Sequence, residues 1–86
     1  MNVAQRIERY VIDDLARGRR TAIAPDEDLI EAGVLDSLSI VHLIRWIEES
    51  FAVEVRDEDI VPEAFRTLRG IGALIETLKG RPTKVA

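Results

Sequence analysis

Cysteine is absent from this 86-residue sequence, and histidine occurs only once. Without cysteine the chain cannot form a disulfide framework or a thiolate metal site. The cysteine content therefore does not indicate whether the protein works in an oxidising or a reducing compartment. A zinc site would have to be built almost wholly from carboxylates, because His42 is the only imidazole available. We therefore expect no metal site in this protein.

Aromatic residues are also scarce, at 5% of the chain, although 47% of the residues are hydrophobic. The core must therefore be mostly aliphatic, which suits packed helices better than a β-sandwich or a β-barrel. A length of 86 residues allows one small domain and leaves no room for a second. The composition thus predicts a single helical domain.

Long hydrophobic runs are absent as well, so we expect no segment that spans a membrane. The first ten residues are polar and amphipathic and lack the apolar region of a signal peptide, from which we expect a cytoplasmic location. Sixteen acidic residues against twelve basic ones give a formal charge of −4. This charge disfavours binding to nucleic acid and to anionic membranes, and it favours basic patches on protein partners.

The spacing of the hydrophobic residues predicts an all-α fold, a four-helix bundle with three main helices, one short helix and a long first loop. The predicted elements are a first helix over 2–17 ended by Gly18, a loop over 19–36, a second helix over 36–51, an extended connector over 52–55, a helical turn over 57–61 that stops near Pro62, and a last helix that Thr67 caps and Gly80 ends. We assign residues 1–80 to one domain and residues 81–86 to a flexible C-terminal tail.

The loop over residues 19–36 is long for a compact domain, and loops of this length are usually functional or held by their own side chains. Five hydrophobic residues are candidates to hold it against the core: Ile23, Leu29, Ile30, Val34 and Leu35. Its acidic residues Asp26, Asp28 and Glu31 lack the glycine and the distal glutamate of a calcium-binding loop. We expect these three residues to be solvated loop charges.

The second helix has the clearest pattern, because its hydrophobic residues recur at offsets 0, 3, 4, 7 and 11: Ile40, Leu43, Ile44, Ile47 and Phe51. Asp36 precedes this seam and is a favoured N-cap residue, whose carboxylate also faces the positive end of the helix dipole. Ser37 therefore lies exposed in the first turn, where the backbone N–H groups point outwards unpaired. A phosphate attached to Ser37 would be stabilised there.

Three roles are open to Ser37: a helix cap, a nucleophile and a point of covalent attachment. A nucleophile requires a base within reach, but His42 lies five residues further on, about 140° around the same helix. No Gly-x-Ser-x-Gly elbow surrounds Ser37 either. These observations disfavour hydrolysis and leave the cap and the attachment point as alternatives.

The whole arrangement resembles the acyl and peptidyl carrier proteins, from about Val3 to Leu78. The shared features are a first helix, Asp28-Leu29 leading into Gly33, Leu35-Asp36-Ser37-Leu38 at the start of the second helix, Ile47-Glu48-Glu49-Ser50-Phe51 at its end, the Val53-Glu54-Val55 connector, the Asp57-Glu58-Asp59-Ile60 turn and a last helix capped by Thr67. Asp-Ser-Leu alone is a weak motif. Its combination with Glu-Glu-x-Phe in an acidic helical chain of this length is specific.

This resemblance implies that residues 1–80 are a phosphopantetheine-binding carrier domain and not an enzyme. In the family, a separate phosphopantetheinyl transferase that uses magnesium attaches 4′-phosphopantetheine from coenzyme A to a serine, and the thiol of this group holds a cargo as a thioester. Ser37 is then the attachment residue, and Asp36 helps to organise the transferase's magnesium besides capping the helix. The other implied partners of such a free-standing, monomeric carrier are a loading ligase or adenylating enzyme and downstream modifying enzymes.

In this family the second helix and the loop before it form the surface that partner enzymes recognise. The resemblance carries this role to Val34, Leu35, Leu38, Val41, Arg45, Glu48 and Glu49. Ser39 and His42 stand where carriers of primary fatty acid synthesis usually have acidic residues, and Arg45 stands where the docking face is commonly apolar. We therefore expect an acyl or aminoacyl carrier of a specialised pathway. The D-alanyl carriers and the free-standing carriers of specialised metabolism are both close in character, and the choice between them, the cargo and the pathway are left open.

A small helical adaptor between proteins, without a prosthetic group, is the alternative function. In that case Ser37 only caps the second helix. The exposed stripe that contains Leu38 and Val41 would then bind a helix of a partner protein.

Overall fold

A computed structural model describes residues 2–17 and 19–81 of the chain. Within these two ranges the backbone forms helices and loops and no β-strand. The α-helices are α1 (Val3–Tyr10), α2 (Ser37–Phe51), α3 (Pro62–Phe65) and α4 (Leu68–Lys79). A π-helical turn (Val11–Leu15) extends α1, and a 3-10 turn (Asp57–Asp59) precedes α3. The prediction of an all-α fold with three main helices, one short helix and a long first loop is confirmed.

The first helix starts at a capping box that connects Asn2 and Gln5. The side-chain oxygen of Asn2 accepts a hydrogen bond from the Gln5 backbone N–H, and the Gln5 side chain accepts one from the Asn2 N–H. Ile7 and Val11 are fully buried on the inner side. The helical stretch ends at Leu15, two residues before the predicted end, and Arg17 takes a left-handed conformation with φ 52°. Gly18, the predicted end of this helix, lies outside the described residues.

The second helix matches the predicted hydrophobic seam. Leu43 and Ile47 are fully buried, while Ile40, Ile44 and Phe51 pack partly buried against the core. The helix ends at Ala52, which adopts the left-handed conformation at φ 53° and turns the chain into the extended connector.

The segment around Pro62 differs from the sequence-based prediction. We expected one helical turn over residues 57–61 that stops near Pro62, but Pro62 is the first residue of the short helix α3. The physical reason is that a proline lacks only an N–H that would be unpaired in the first turn, and its fixed φ already suits a helix. The short helix is therefore separate from the acidic 3-10 turn, and it buries Phe65.

The core is aliphatic apart from Phe65, as the composition indicates. It combines residues of the helices with four residues of the long loop. The buried hydrophobic residues are Ile7, Val11, Ala16, Ile23, Leu29, Val34, Leu35, Leu43, Ile47, Phe65, Leu68, Ile71, Ile75 and Leu78. The prediction that hydrophobic side chains hold the loop against the core is therefore confirmed.

Two acidic residues of the long loop bind arginines instead of standing alone in solvent. Asp28 accepts a hydrogen bond from the Arg66 guanidinium at 3.0 Å, and Asp26 accepts one from Arg69 at 2.7 Å. Backbone bonds join the same segments, since the Leu29 N–H donates to the Arg66 carbonyl at 2.6 Å. Asp26 remains exposed, as expected for a solvated charge, but Asp28 is half-buried in its pair with Arg66, so the expectation is wrong for Asp28. The fold brings residues about forty positions apart into contact, which the sequence does not display.

The last helix has the caps that the sequence predicts. The Thr67 hydroxyl accepts a hydrogen bond from the Gly70 N–H at 2.9 Å, and Gly80 forms the C-cap. Arg81 then pairs with Asp59, at 2.7 Å between Nη2 and Oδ2. Residues 82–86 lie outside the described residues, so the tail over residues 81–86 and the domain boundary at residue 80 stay predictions.

None of the helices in the described part of the chain has the length and the hydrophobic character needed to cross a bilayer.

Candidate functional site

Ser37 is the first residue of α2 and is exposed to solvent. Asp36, the N-cap residue, has an extended backbone, and its carboxylate Oδ1 accepts a hydrogen bond from the Ser39 backbone N–H at 2.8 Å. The predicted cap is therefore confirmed, and it belongs to Asp36 rather than to Ser37. The Ser37 hydroxyl stands at the positive end of a fifteen-residue helix, where an attached phosphate is stabilised.

The hydrogen bond from the Ser39 N–H holds the pKa of the Asp36 carboxyl below its ordinary value of 3.8. Asp36 is therefore ionised at neutral pH and remains exposed next to Ser37. An exposed carboxylate is the type of ligand that magnesium binds in proteins. The residues present thus fit the family's arrangement of an acceptor serine beside an anionic side chain.

The loop reaches Ser37 through a tight turn around Leu29. The N–H groups of Val34 and Leu35 both donate to the Leu29 carbonyl, at 2.9 and 3.0 Å. Gly33 makes this turn in the left-handed region, with φ 77°, a conformation that other residues adopt only with strain. The turn fixes the direction from which the chain enters α2.

This turn corrects two residues of the expected docking surface. Val34 and Leu35 are buried, with 7% and 2% of their surface exposed, so their side chains belong to the core. Little of either side chain is accessible to a partner enzyme in this conformation. The sequence pattern did not reveal this, because both residues adjoin an exposed serine and either orientation is compatible with the local spacing.

Other members of the expected surface do face the solvent. Leu38 and Val41 expose 67% and 57% of their surface, and Arg45 and Glu49 are also exposed. Glu48 is only half-exposed, and its carboxylate accepts a hydrogen bond from the Val55 N–H at 3.0 Å. Glu48 therefore holds the connector after α2, and this bond leaves it less available to a partner than Glu49.

Two exposed hydrophobic residues were missed by the sequence-based reasoning. Ile60 and Val61 each expose 44% of their surface between the 3-10 turn and α3. The sequence pattern predicts a helical turn for both residues and no surface role. An apolar pair between an acidic turn and Pro62 was the available signal.

The residues on the other side of α2 have structural contacts. Trp46 stacks on Tyr10 of α1, with ring centroids 4.6 Å apart and planes 10° apart. The Tyr10 hydroxyl donates to the backbone carbonyl of His42, whose own side chain lies in an exposed position. Within residues 2–17 and 19–81 no group of three or more histidine and carboxylate side chains is arranged to hold a metal.

Comparison with known families matches residues 5–75 to the phosphopantetheine attachment site. An acyl carrier protein of Solidesulfovibrio magneticus is 30% identical over 80 residues, which cover 93% of this chain and 99% of that protein. A D-alanyl carrier protein of Streptococcus equi subsp. zooepidemicus is 44% identical over 54 residues, which cover 63% of this chain and 68% of the relative.

The fold is also similar to a carrier protein of known structure. That protein is the cognate carrier in a crystal structure of the Bradyrhizobium japonicum glycine:[carrier protein] ligase with an analogue of glycyl adenylate. The two chains are 25% identical and superpose with a TM-score of 0.71, over 88% of this chain and 99% of the other.

Proposed function

The chain belongs to the acyl and peptidyl carrier proteins, the family defined by the phosphopantetheine attachment site, and we propose that Ser37 is the residue that carries this group. Proteins of this family work with enzymes as carriers of a covalently held substrate. The proposal for Ser37 is supported by one observation above all. Ser37 is an exposed serine at the N-terminus of α2, directly after the ionised carboxylate of Asp36.

The site fits the group chemically. Phosphopantetheine supplies a terminal thiol that holds the cargo as a thioester, and this chain has no cysteine with which to supply a thiol itself. The N–H groups in the first turn of α2 stabilise the negative charge of the phosphate. Asp36 keeps the start of the helix in place through Ser39 and offers a carboxylate to the magnesium of the transferase.

The test is the intact mass of the chain after co-expression with a phosphopantetheinyl transferase of broad specificity. We expect the mass to increase by one phosphopantetheine in the wild type and to stay unchanged in Ser37→Ala. Ser39→Ala is the matched control, because Ser39 lies on the same helical turn, and it should still gain the group. A wild-type chain that several transferases leave unmodified would refute the proposal, as would a modified Ser37→Ala chain.

We further propose that the chain is a free-standing carrier in the cytoplasm, that it acts as a monomer and has no catalytic activity of its own. Two of the proteins to which the chain is similar, the D-alanyl carrier protein and the carrier of the glycine ligase, are named for an amino acid cargo. Ser39 and His42 on α2 also stand where primary fatty acid carriers usually have acidic residues, and Arg45 stands where the docking face is commonly apolar. We therefore propose an aminoacyl or acyl cargo in a specialised pathway, loaded by a ligase that activates the cargo as an adenylate and passed on to modifying enzymes.

A further inference from the structure

Arg45 has no ionic partner in the described part of the structure, a property that it shares with Arg6, Arg9, Arg17 and Arg19. Five other arginines pair with carboxylates within 4.0 Å: Arg20, Arg56, Arg66, Arg69 and Arg81. Arg45 makes neither an ion pair nor a side-chain hydrogen bond to any residue among 2–17 and 19–81, and it is exposed. Its guanidinium therefore has all its donors available to another molecule.

Arg45 also lies on the same face of α2 as the exposed hydrophobic residues Leu38 and Val41. The spacing from Leu38 to Val41 to Arg45 is three and then four residues, which places the three side chains in one row on a helix. The row is about 10 Å long, from seven residues at 1.5 Å each. A partner that covers the two hydrophobic residues next to Ser37 therefore also covers Arg45.

The acidic residues of α2 do not neutralise Arg45. The Glu48 carboxylate is bonded to the Val55 N–H, on the side of the connector. Glu49 lies one turn beyond Arg45, but in the described structure its carboxylate is more than 4.0 Å from the guanidinium. A partner surface that covered Arg45 with apolar or basic groups would leave a desolvated charge unpaired, and this carries a large free-energy penalty.

We infer that Arg45 determines which enzyme loads this carrier, by pairing with a carboxylate on that enzyme. The inference rests on the proposed carrier function and deepens it. The partner is a ligase that forms an adenylate of the cargo, and its docking surface has an apolar pocket for Leu38 and Val41 with an acidic side chain at its edge. Arginine suits this role because its planar guanidinium binds a carboxylate through two parallel hydrogen bonds. A basic docking patch is rejected by the same residue.

The test uses the holo-carrier and a panel of purified adenylate-forming ligases, each with ATP and its own substrate. The panel includes the glycine:[carrier protein] ligase of Bradyrhizobium japonicum and a ligase that charges D-alanyl carriers. The ligase that loads the wild type fastest is then assayed with Arg45→Glu, Arg45→Gln and Arg9→Glu. Arg9 is the matched control, since it is an exposed arginine on α1 and its replacement changes the net charge by the same amount.

We expect kcat/KM for loading to fall at least about tenfold in Arg45→Glu, less in Arg45→Gln, and less than about twofold in Arg9→Glu. The wild-type rate should fall as salt is raised, and the rate of Arg45→Gln should depend less on salt. Unchanged loading of Arg45→Glu would overturn the inference, and so would an equal loss in Arg9→Glu, which would indicate an effect of net charge alone.

The outcomes also separate this inference from the carrier function on which it rests. If no ligase of the panel loads the wild-type holo-carrier, the inference of an adenylate-forming partner fails while the carrier function stands. If the chain never gains phosphopantetheine, the carrier function itself fails. Equal melting temperatures of the three variants and the wild type would show that altered folding does not cause the differences.

Discussion

At the level of single residues, Asp36 caps α2, and we propose that it also serves the magnesium of the transferase, a role that depends on a different property of its side chain. Capping requires an oxygen that accepts the Ser39 N–H, and the structure shows this bond at 2.8 Å. Helping the transferase's magnesium requires a negative charge. Asparagine has the oxygen without the charge, and alanine has neither, so these two substitutions separate the roles.

We predict that Asp36→Asn keeps the melting temperature of the wild type, because asparagine and aspartate are equally good N-cap residues. Asp36→Ala should lower the melting temperature by about 4 to 8 °C, since the Ser39 N–H loses its partner. Both variants should slow the attachment of phosphopantetheine to Ser37. Thermal unfolding followed by circular dichroism and timed intact-mass measurements give the two readings. A wild-type attachment rate in Asp36→Asn would show that the charge has no role.

At the level of the elements, α2 has a buried face and an exposed face. Leu43 is fully buried in the core, whereas Leu38 exposes 67% of its surface near Ser37. The two residues have the same side chain in the same helix, and they differ only in what covers them. This pair therefore provides a direct comparison between a core position and a proposed docking position.

We predict that Leu43→Ala reduces the free energy of unfolding by about 2 to 5 kcal/mol, because it leaves a cavity in the core. Leu38→Ala should change it by less than about 0.5 kcal/mol, since its side chain is already largely hydrated. Loading by the partner ligase should respond mainly to Leu38→Ala. Urea denaturation and the loading assay measure these effects. A large loss of stability in Leu38→Ala would mean that Leu38 packs within the fold and is not a docking residue.

At the level of the whole molecule, an ion pair holds the 3-10 turn, which contributes no buried residue to the hydrophobic core. Arg81 binds Asp59 through two hydrogen bonds, at 3.1 and 2.7 Å, and so ties the end of α4 to the 3-10 turn. Only 11% of the Asp59 side chain is exposed, and its other contact is the Arg56 N–H at 2.9 Å. These partners, with the Arg81 hydrogen bonds first, hold the pKa of Asp59 below its ordinary value of 3.8.

We predict that acid destabilises the protein and that Asp59 contributes to this effect. A carboxyl whose pKa is lower in the folded than in the unfolded state stabilises the fold above its unfolded pKa, and this contribution is lost as the pH falls through the folded pKa. The wild type should therefore lose stability from about pH 5 downwards. Asp59→Asn should be less stable by about 1 to 2 kcal/mol at pH 7, and the difference should shrink at pH 3. Urea denaturation across this pH range tests the expectation, which a constant difference would contradict.

Much of the fold and of the site follows from the sequence because the signals are local. Helical spacing identified the buried residues of α2, and the capping residues Asp36 and Thr67 gave the starts of α2 and α4. The position of Ser37 in the first turn of α2 followed from the same signals. These features depend on neighbours within one or two turns, which the sequence displays directly.

The tertiary structure decided which residues near Ser37 are available to a partner. Val34 and Leu35 are as hydrophobic as Leu38 and Val41, yet the turn around the Leu29 carbonyl buries the first pair and leaves the second pair exposed. The ionic partners of Arg66, Arg69 and Arg81 lie 22 to 43 residues away in sequence, so only the fold reveals these pairs. In the same way, only the fold reveals that Arg45 has no ionic partner among the described residues. The sequence by itself determined the helices and the exposed serine, because hydrogen bonds and caps are local. Burial and charge pairing depend on contacts between distant segments, so only the folded chain determined the surface that a partner enzyme meets.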